Sequence, residues 1–338
     1  MNKWLASAAL LLMISLTGCA RAPHEFSQES YVFGTRVDIT IVGVSDQRAR
    51  AAVSAVLLRF DSLHHRLHAW EPGELSTIND AFAAGRAVDI TADVANILTD
   101  AMRYSAQSGG TFNPAIGNLI RLWGFQSDQF VARLPDPQAI QQLLVAHPQM
   151  SDIVIIDGWV SSRNPAVRVD LGGYAKGYAL DIALQILRQY GIRNAVVNIG
   201  GNVIALGQHG DRPWLVGIQD PRHPSAVAKL PLYDGEAIGT SGDYQRYFVL
   251  HGKRYCHIIN PYTGWPAQGV QSVTVLIPPG PHAGVLSDVA SKPLFIAGVN
   301  GWRAAATQMG IQSAMLIDAL GVISMTPAMQ QRLTLLHG

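Results

Sequence analysis

"NAVVNIGGNVIALG", Asn194 to Gly207, decides the fold. Its glycine pair, Gly200 and Gly201, invites a dinucleotide-binding reading, in which a G-x-G-x-x-G turn opens a helix against a pyrophosphate. Here Asn202 to Leu206 carry on as strand, and the stretch from Gly200 to Arg222 reads as a hairpin and its loop. A doubly wound nucleotide fold is excluded. Further strands are expected in "YVFGTRVDITIVG" (31–43), "PWLVGIQ" (213–219), "YQRYFVL" (244–250) and "VQSVTVLIP" (270–278). "DIVIIDGWVSS" (152–162) reads as a second hairpin, turning at Asp157–Gly158. Val53, Val56, Leu57, Phe60, Leu63 and Leu67 fall at helical spacing. Thr91 opens another helix through Val94, Ile97, Leu98, Ala101 and Met102, which Gly109–Gly110 ends. Tyr174, Tyr178, Ile182 and Ile186 recur every four residues up to a stop at Gly191. Short helices are expected around "SAMLID" (313–318) and "GVISM" (321–325). Hairpins mixed with helices in this order predict an α+β fold.

The N-terminus carries Lys3, an apolar run from Leu5 to Leu16, and "LTGC" at Leu16 to Cys19. That is the pattern of a secretory signal, too short for the roughly 20 apolar residues that span a bilayer. The leucine three places before a cysteine resembles a bacterial lipobox, with Cys19 as the lipidated first residue. The expected organisation is a leader over 1–18, a tether over 19–30 and one folded domain over 31–338. Removing the leader leaves 24 basic against 24 acidic side chains, since only Lys3 is lost from 25 and 24. A neutral chain has no polybasic footprint, so nucleic acid is not expected as a partner. Apart from Cys19, Cys256 is the one cysteine, so stability must come from packing. With 48% hydrophobic and 14% charged residues, the chain has the material for a large core.

Five segments look chemical. "GGTFNPAIGNLIRLWGF" spans 109–125, and "VDLGGYAKGYALD" spans 169–181. In the second, a Gly-Gly turn opens a helix whose free N–H groups suit an anion, with Lys176 in reach of a phosphate. "TSGDYQRYFV" spans 240–249 and "HIINPYTGWP" spans 257–266. In "SDVASKPLF", 287–295, helical spacing would put Asp288, Ser291 and Lys292 on one face. Asp and Ser are oxygen donors for a hard cation, whereas a lysine ammonium competes with one. That cluster is a metal site, a metal site with a substitute charge, or an ion pair. No Cys/His cluster suits zinc, and no G-x-S-x-G elbow is present.

Taken in order, these segments resemble the ApbE family of FAD:protein FMN transferases, from about Tyr31 to Leu336. The resemblance implies one domain of mixed and antiparallel sheets with flanking helices and an FAD cleft. It implies FAD as substrate: its FMN half is joined by a phosphoester to a threonine of a target protein, and AMP leaves. The implied partners are periplasmic flavoprotein subunits of respiratory complexes that carry a threonine acceptor motif. The implied place is the periplasmic side of a bacterial membrane, reached through the lipid anchor.

Carried over residue by residue, Phe33 stands where the family often has a methionine against the flavin. Trp70 matches a tyrosine that stacks on FAD. Ala115, Ile116 and Gly117 match backbone lining the cofactor, Asp170 a residue holding FAD, Lys176 a phosphate-side position and Ile259 a further FAD contact. His257 matches the histidine beside the reacting phosphates and is expected to act as base or proton relay. Asn113 and Asn260 replace frequent aspartates. The metal segment, Asp-x-x-[Ser/Asp]-Thr in the family, keeps Asp288 and Ser291, with the Gly173 carbonyl as a third ligand for Mg²⁺. Lys292 replaces its threonine. The ammonium either lies against the pyrophosphate as a point charge or turns to solvent and leaves Mg²⁺ in place. Two further readings share the FAD cleft: a pyrophosphatase in which water replaces the threonine, and a lipoprotein that binds FAD without chemistry.

Overall fold

The computed structural model describes residues 24–127 and 129–336, so the leader and Cys19 lie outside the described residues. In chain order the elements are β1 (Glu25–Val32), β2 (Thr35–Val42), α1 (Asp46–Leu67), α2 (Glu74–Ala83), β3 (Val88–Asp89) and α3 (Ala92–Gln107). Next come α4 (Gly117–Leu122), α5 (Pro137–Ala146), β4 (Ile153–Ile156), β5 (Trp159–Ser162) and α6 (Ala175–Gln189). The strands β6 (Ala195–Ile199), β7 (Asn202–Leu206), β8 (Trp214–Gln219), β9 (Ala226–Leu232) and β10 (Ala237–Gly242) follow. The last third holds β11 (Tyr247–Leu250), β12 (Lys253–Cys256), β13 (Val270–Ile277), α7 (Ala283–Gln308), β14 (Ser313–Asp318), β15 (Ile323–Met325), α8 (Pro327–Arg332) and β16 (Thr334–Leu335).

Eight strands form one antiparallel sheet in the order β1-β2-β6-β7-β10-β13-β14-β15. The quoted stretch is its centre. β6 and β7 pair from Ile199↔Asn202 outward, and the two-residue turn uses Gly200 at φ 57 and Gly201 at φ 93. Positive φ at both positions gives the primed turn whose twist suits a hairpin, so the glycine pair closes strands instead of opening a helix. The unbroken apolar run on β7 has a reason: both faces of the sheet are covered. Ile204 and Leu206 belong to the core on the side of the helices α6 and α7, while Val203 and Ala205 belong to the core shared with β8, β9 and α8. Among the described residues no helix is long and apolar enough to cross a bilayer.

Several expectations need correction. Residues 25–30, expected in the tether, are strand: β1 pairs along its whole length with β2, Glu25 against Val42. The stretches 313–318 and 321–325 hold strands, not short helices. Ala314 and Leu316 face the helical core while Met315 and Ile317 face the opposite layer, which is the two-residue period of a strand buried on both sides. The long helix α7 was visible only as one turn around Asp288. It is buried on nearly every side over Ala283–Phe295, so no polar stripe marks it, and it runs through Pro293 to lose helical dihedrals only at Gly298. On α6 the deeply buried face is Leu180, Ala183, Leu184 and Leu187; the stripe Tyr178, Ile182, Ile186 flanks it.

Candidate active site

A cavity of about 910 Å³ opens between the β1–β2 turn, α1, the loop before α4, the loop into α6 and α7. Its floor is two chain segments lying side by side. Arg168 N–H donates to the Ala115 carbonyl at 3.2 Å, Gly117 N–H to the Arg168 carbonyl at 2.8 Å, and Asp170 N–H to the Pro114 carbonyl at 2.8 Å. A Cβ on Gly117 would lie 2.6 Å from the Arg168 carbonyl oxygen, so the approach needs glycine. Asn113 braces the same loop, accepting from Ala115 N–H and donating to the Pro148 carbonyl. An aspartate there would lack the donor.

Asp170 organises the aromatic side. Its Oδ2 accepts from Trp70 Nε1 at 3.0 Å and its Oδ1 from Gly172 N–H at 2.8 Å. The Arg168 guanidinium lies 4.8 Å from the centre of the Trp70 ring, a cation–π contact that covers one face. Phe33 occupies the β1–β2 turn at φ 58, the left-handed region, where a side chain costs about 1 kcal/mol. Its ring packs on Phe60 and His64 and borders the cleft.

The polar side is built by α6 and α7. Lys292 Nζ donates to the Asp288 Oδ1 at 2.7 Å and to the Asp288 carbonyl at 2.6 Å, one turn back on α7. The second carboxylate oxygen of Asp288 accepts from Gly177 N–H at 3.0 Å and so caps the first turn of α6. Burial pushes this carboxyl up, but Lys292, Lys176 and the Gly177 N–H together outweigh it and hold Asp288 below the usual range. Burial lowers the Lys176 ammonium, with Lys292 and Arg246 adding repulsion and Asp288 opposing. At the end of β12, His257 Nδ1 lies 3.3 Å from the Arg246 carbonyl. That oxygen only accepts, so Nδ1 carries the proton and Nε2 is left as the acceptor. Burial and the positive charges of Arg246, Lys176 and Lys292 push the His257 imidazolium down to about 3, so the ring is neutral.

Of the residues expected from the sequence, Phe33, Trp70, Ile116, Asp170, Gly173, Lys176, His257 and Ile259 line one cavity. Ala115 and Gly117 do not reach its surface; they hold the floor against Arg168. Asp288 and Ser291 are each 1% exposed and lie behind Lys292. Arg246, Gln126, His64 and His68 also border the cleft and were not singled out. The histidines had a visible signal, one helical turn apart beside Leu63 and Leu67.

As arranged, Gly173, Asp288 and Ser291 do not fit a divalent ion. Both Asp288 oxygens are engaged, and the Ser291 hydroxyl bonds Ser241 Oγ at 2.7 Å and the Asp288 carbonyl at 3.0 Å. The Lys292 stem lies across Gly173. Among the described residues no group of three His, Cys, Asp or Glu side chains could hold a metal.

The ApbE family model matches residues 33–316, which carry the whole cleft. The chain belongs to the ApbE family. An FAD:protein FMN transferase of Rhodobacter capsulatus is 41% identical over 335 residues, 99% of this chain. This chain spans 63% of that relative's length. An FAD:protein FMN transferase of Klebsiella pneumoniae is 31% identical over 287 residues, 80% of this chain and 81% of the relative. Among solved structures, the ApbE protein of Thermotoga maritima superposes with a TM-score of 0.82 at 30% identity, covering 91% of this chain and 99% of the other. The expected α+β fold of the ApbE family, with sheets and flanking helices around a cleft, is therefore the observed one; the pairings between its strands are antiparallel.

Proposed function

We propose that this chain cuts FAD at its pyrophosphate and joins the FMN half to a threonine hydroxyl of a target protein. The observation that carries this reading is a single cleft combining flat aromatics, Phe33 and Trp70, with two lysines and a neutral histidine. Its volume lies within the range of small-molecule sites. The relatives named FAD:protein FMN transferase support the same reading. The threonine oxygen attacks the phosphorus on the FMN side. The bond from that phosphorus to the bridging oxygen breaks, AMP leaves with that oxygen, and the hydroxyl proton passes to His257. No electrons are exchanged, so the protein's task is to position the hydroxyl and to offset phosphate charge. Mg²⁺, expected from the resemblance, has no step in this reading, because Asp288 and Ser291 are otherwise engaged and the Lys292 stem lies across Gly173.

The deciding experiment incubates the protein with FAD and a threonine-containing acceptor and weighs the acceptor. A gain equal to one FMN group, with AMP released, is the expected result. AMP and free FMN without that gain would mean hydrolysis, and bound FAD without AMP would mean storage. Trp70→Ala tests the aromatic wall. Stacking on a flat ring contributes about 1–3 kcal/mol, so the FAD dissociation constant should rise about ten- to hundredfold in a fluorescence titration. An unchanged constant would make Trp70 a packing residue only.

The lipobox at Leu16–Cys19 supports a lipid anchor, with targets among periplasmic flavoprotein subunits of respiratory complexes that carry a threonine motif. Cys19→Ser should move the protein from the membrane to the soluble fraction with FAD affinity unchanged, because Cys19 precedes the first strand. A variant that still sediments with membranes would refute the anchor.

A further inference from the structure

We infer that Lys292 is the resident cation of this cleft, taking with Lys176 the charge-neutralising place beside the FAD pyrophosphate that the resemblance assigns to a divalent metal. The inference rests on the flavin reading of the cleft and concerns how that site meets phosphate charge.

Three observations converge. Lys292 Nζ lies 2.7 Å from Asp288 Oδ1 and 2.6 Å from the Asp288 carbonyl. A magnesium ion bound to the same carboxylate oxygen at about 2.1 Å would meet the ammonium head-on in space and in charge. Second, the lysine is held inward. A Cβ on Gly173 would stand 2.7 Å from Lys292 Cε and 3.0 Å from Cδ, so the stem lies flat on a glycine that has no side chain to displace it. The Lys292 side chain is 18% exposed and its Asp288 partner 2%, which answers the alternative in which the ammonium turns to solvent. Third, the placement fits. Lys292 borders the same cavity as Lys176, so a fixed positive charge stands next to the phosphate-side lysine where the resemblance would put a metal. Asp288 thereby acts as a positioning residue: one oxygen seats Lys292, and the other caps the helix that carries Lys176.

The test compares wild type with Lys292→Thr, using Mn²⁺ as the metal probe, read by electron paramagnetic resonance, and FAD affinity read by fluorescence. Wild type should bind no Mn²⁺ at this site, and its FAD dissociation constant should change less than about twofold between EDTA and excess Mg²⁺. In Lys292→Thr, the freed Asp288 Oδ1, with the introduced hydroxyl beside it, should bind one Mn²⁺, and FAD affinity should fall about tenfold or more in EDTA and recover in Mg²⁺. One Mn²⁺ bound by wild type, with FAD affinity lost in EDTA, would overturn the inference and leave the transfer reading standing. Absence of FAD binding by wild type would overturn both. The wild-type measurements decide the question even if the variant does not fold.

Discussion

His257→Ala should lower FMN transfer by about 10²–10⁴-fold, the usual contribution of a positioned base, and leave FAD affinity within about threefold. The His257 ring is committed at one nitrogen only. Its Nδ1 proton is committed to the Arg246 carbonyl, and Nε2 is the acceptor. Burial and three neighbouring cations hold the imidazolium near 3, so at neutral pH the ring arrives without a proton to give. In the proposed reaction FAD would bring negative charge to the same place, offset those cations and raise the basicity of Nε2. The base is thereby weak while the cleft is open and stronger once the phosphates are in it. His257 is depressed, so its neutral form persists down to about pH 3 in the free protein, and the kcat/KM profile should show no acid limb from His257 between about pH 5 and 8. Single-turnover measurement of AMP release separates the two roles. A variant that binds FAD tenfold more weakly yet releases AMP at the wild-type rate would make His257 a binding group, not a base.

The parts of the fold that were legible in the sequence are those where a local rule had no competitor. Gly200–Gly201 between two apolar runs is a hairpin, because a dinucleotide turn needs a helix after it and Asn202–Leu206 do not make one. The segment 313–318 misled because strands covered on both faces lose their alternation, and a short apolar run then reads equally as helix. The helix α7 was hidden for the same reason: with apolar neighbours around its first half, it has no face to display. The site was legible to the degree that chemistry lies in side-chain type. Lys176 could be named from its own segment and His257 and Asp170 from the resemblance, while the Asp288–Lys292 spacing left a metal site and an ion pair both open. Whether Lys292 turns inward was not legible, since that is decided by the missing side chain of Gly173, more than a hundred residues away. The roles of Ala115 and Gly117 were blurred likewise, because backbone bracing by Arg168 leaves no trace in residue type.

Gly177→Ala should destabilise the protein by roughly 3 kcal/mol or more, the upper end of what one inserted methyl costs in a packed interior. The added Cβ would stand 2.4 Å from the Gly284 carbonyl oxygen, 2.7 Å from Val285 Cα and 2.8 Å from Asp288 Cβ. Two of those three atoms are backbone, so no rotamer change relieves the contact and the helices α6 and α7 must part. They are poorly placed to do so. Asp288 on α7 caps Gly177 on α6, while Asp181 on α6 accepts from Gly284 and Val285 N–H at 2.8 and 2.9 Å, capping α7 in return. Each helix start depends on a carboxylate of the other, and separation strains both caps at once. The cleft feels the same movement, because Lys176 and Lys292 ride on these two helices. We expect a fall of roughly 5–10 °C in melting temperature together with at least a tenfold loss of FAD affinity. Gly191→Ala is the control. It sits at φ +70 with no neighbour within 4 Å, so it costs about 1 kcal/mol of backbone strain and leaves FAD affinity alone. A Gly177→Ala protein that melts within about 2 °C of wild type and binds FAD normally would show that the two helices have slack. The carboxylate exchange would then be a consequence of their packing and not what positions the lysines.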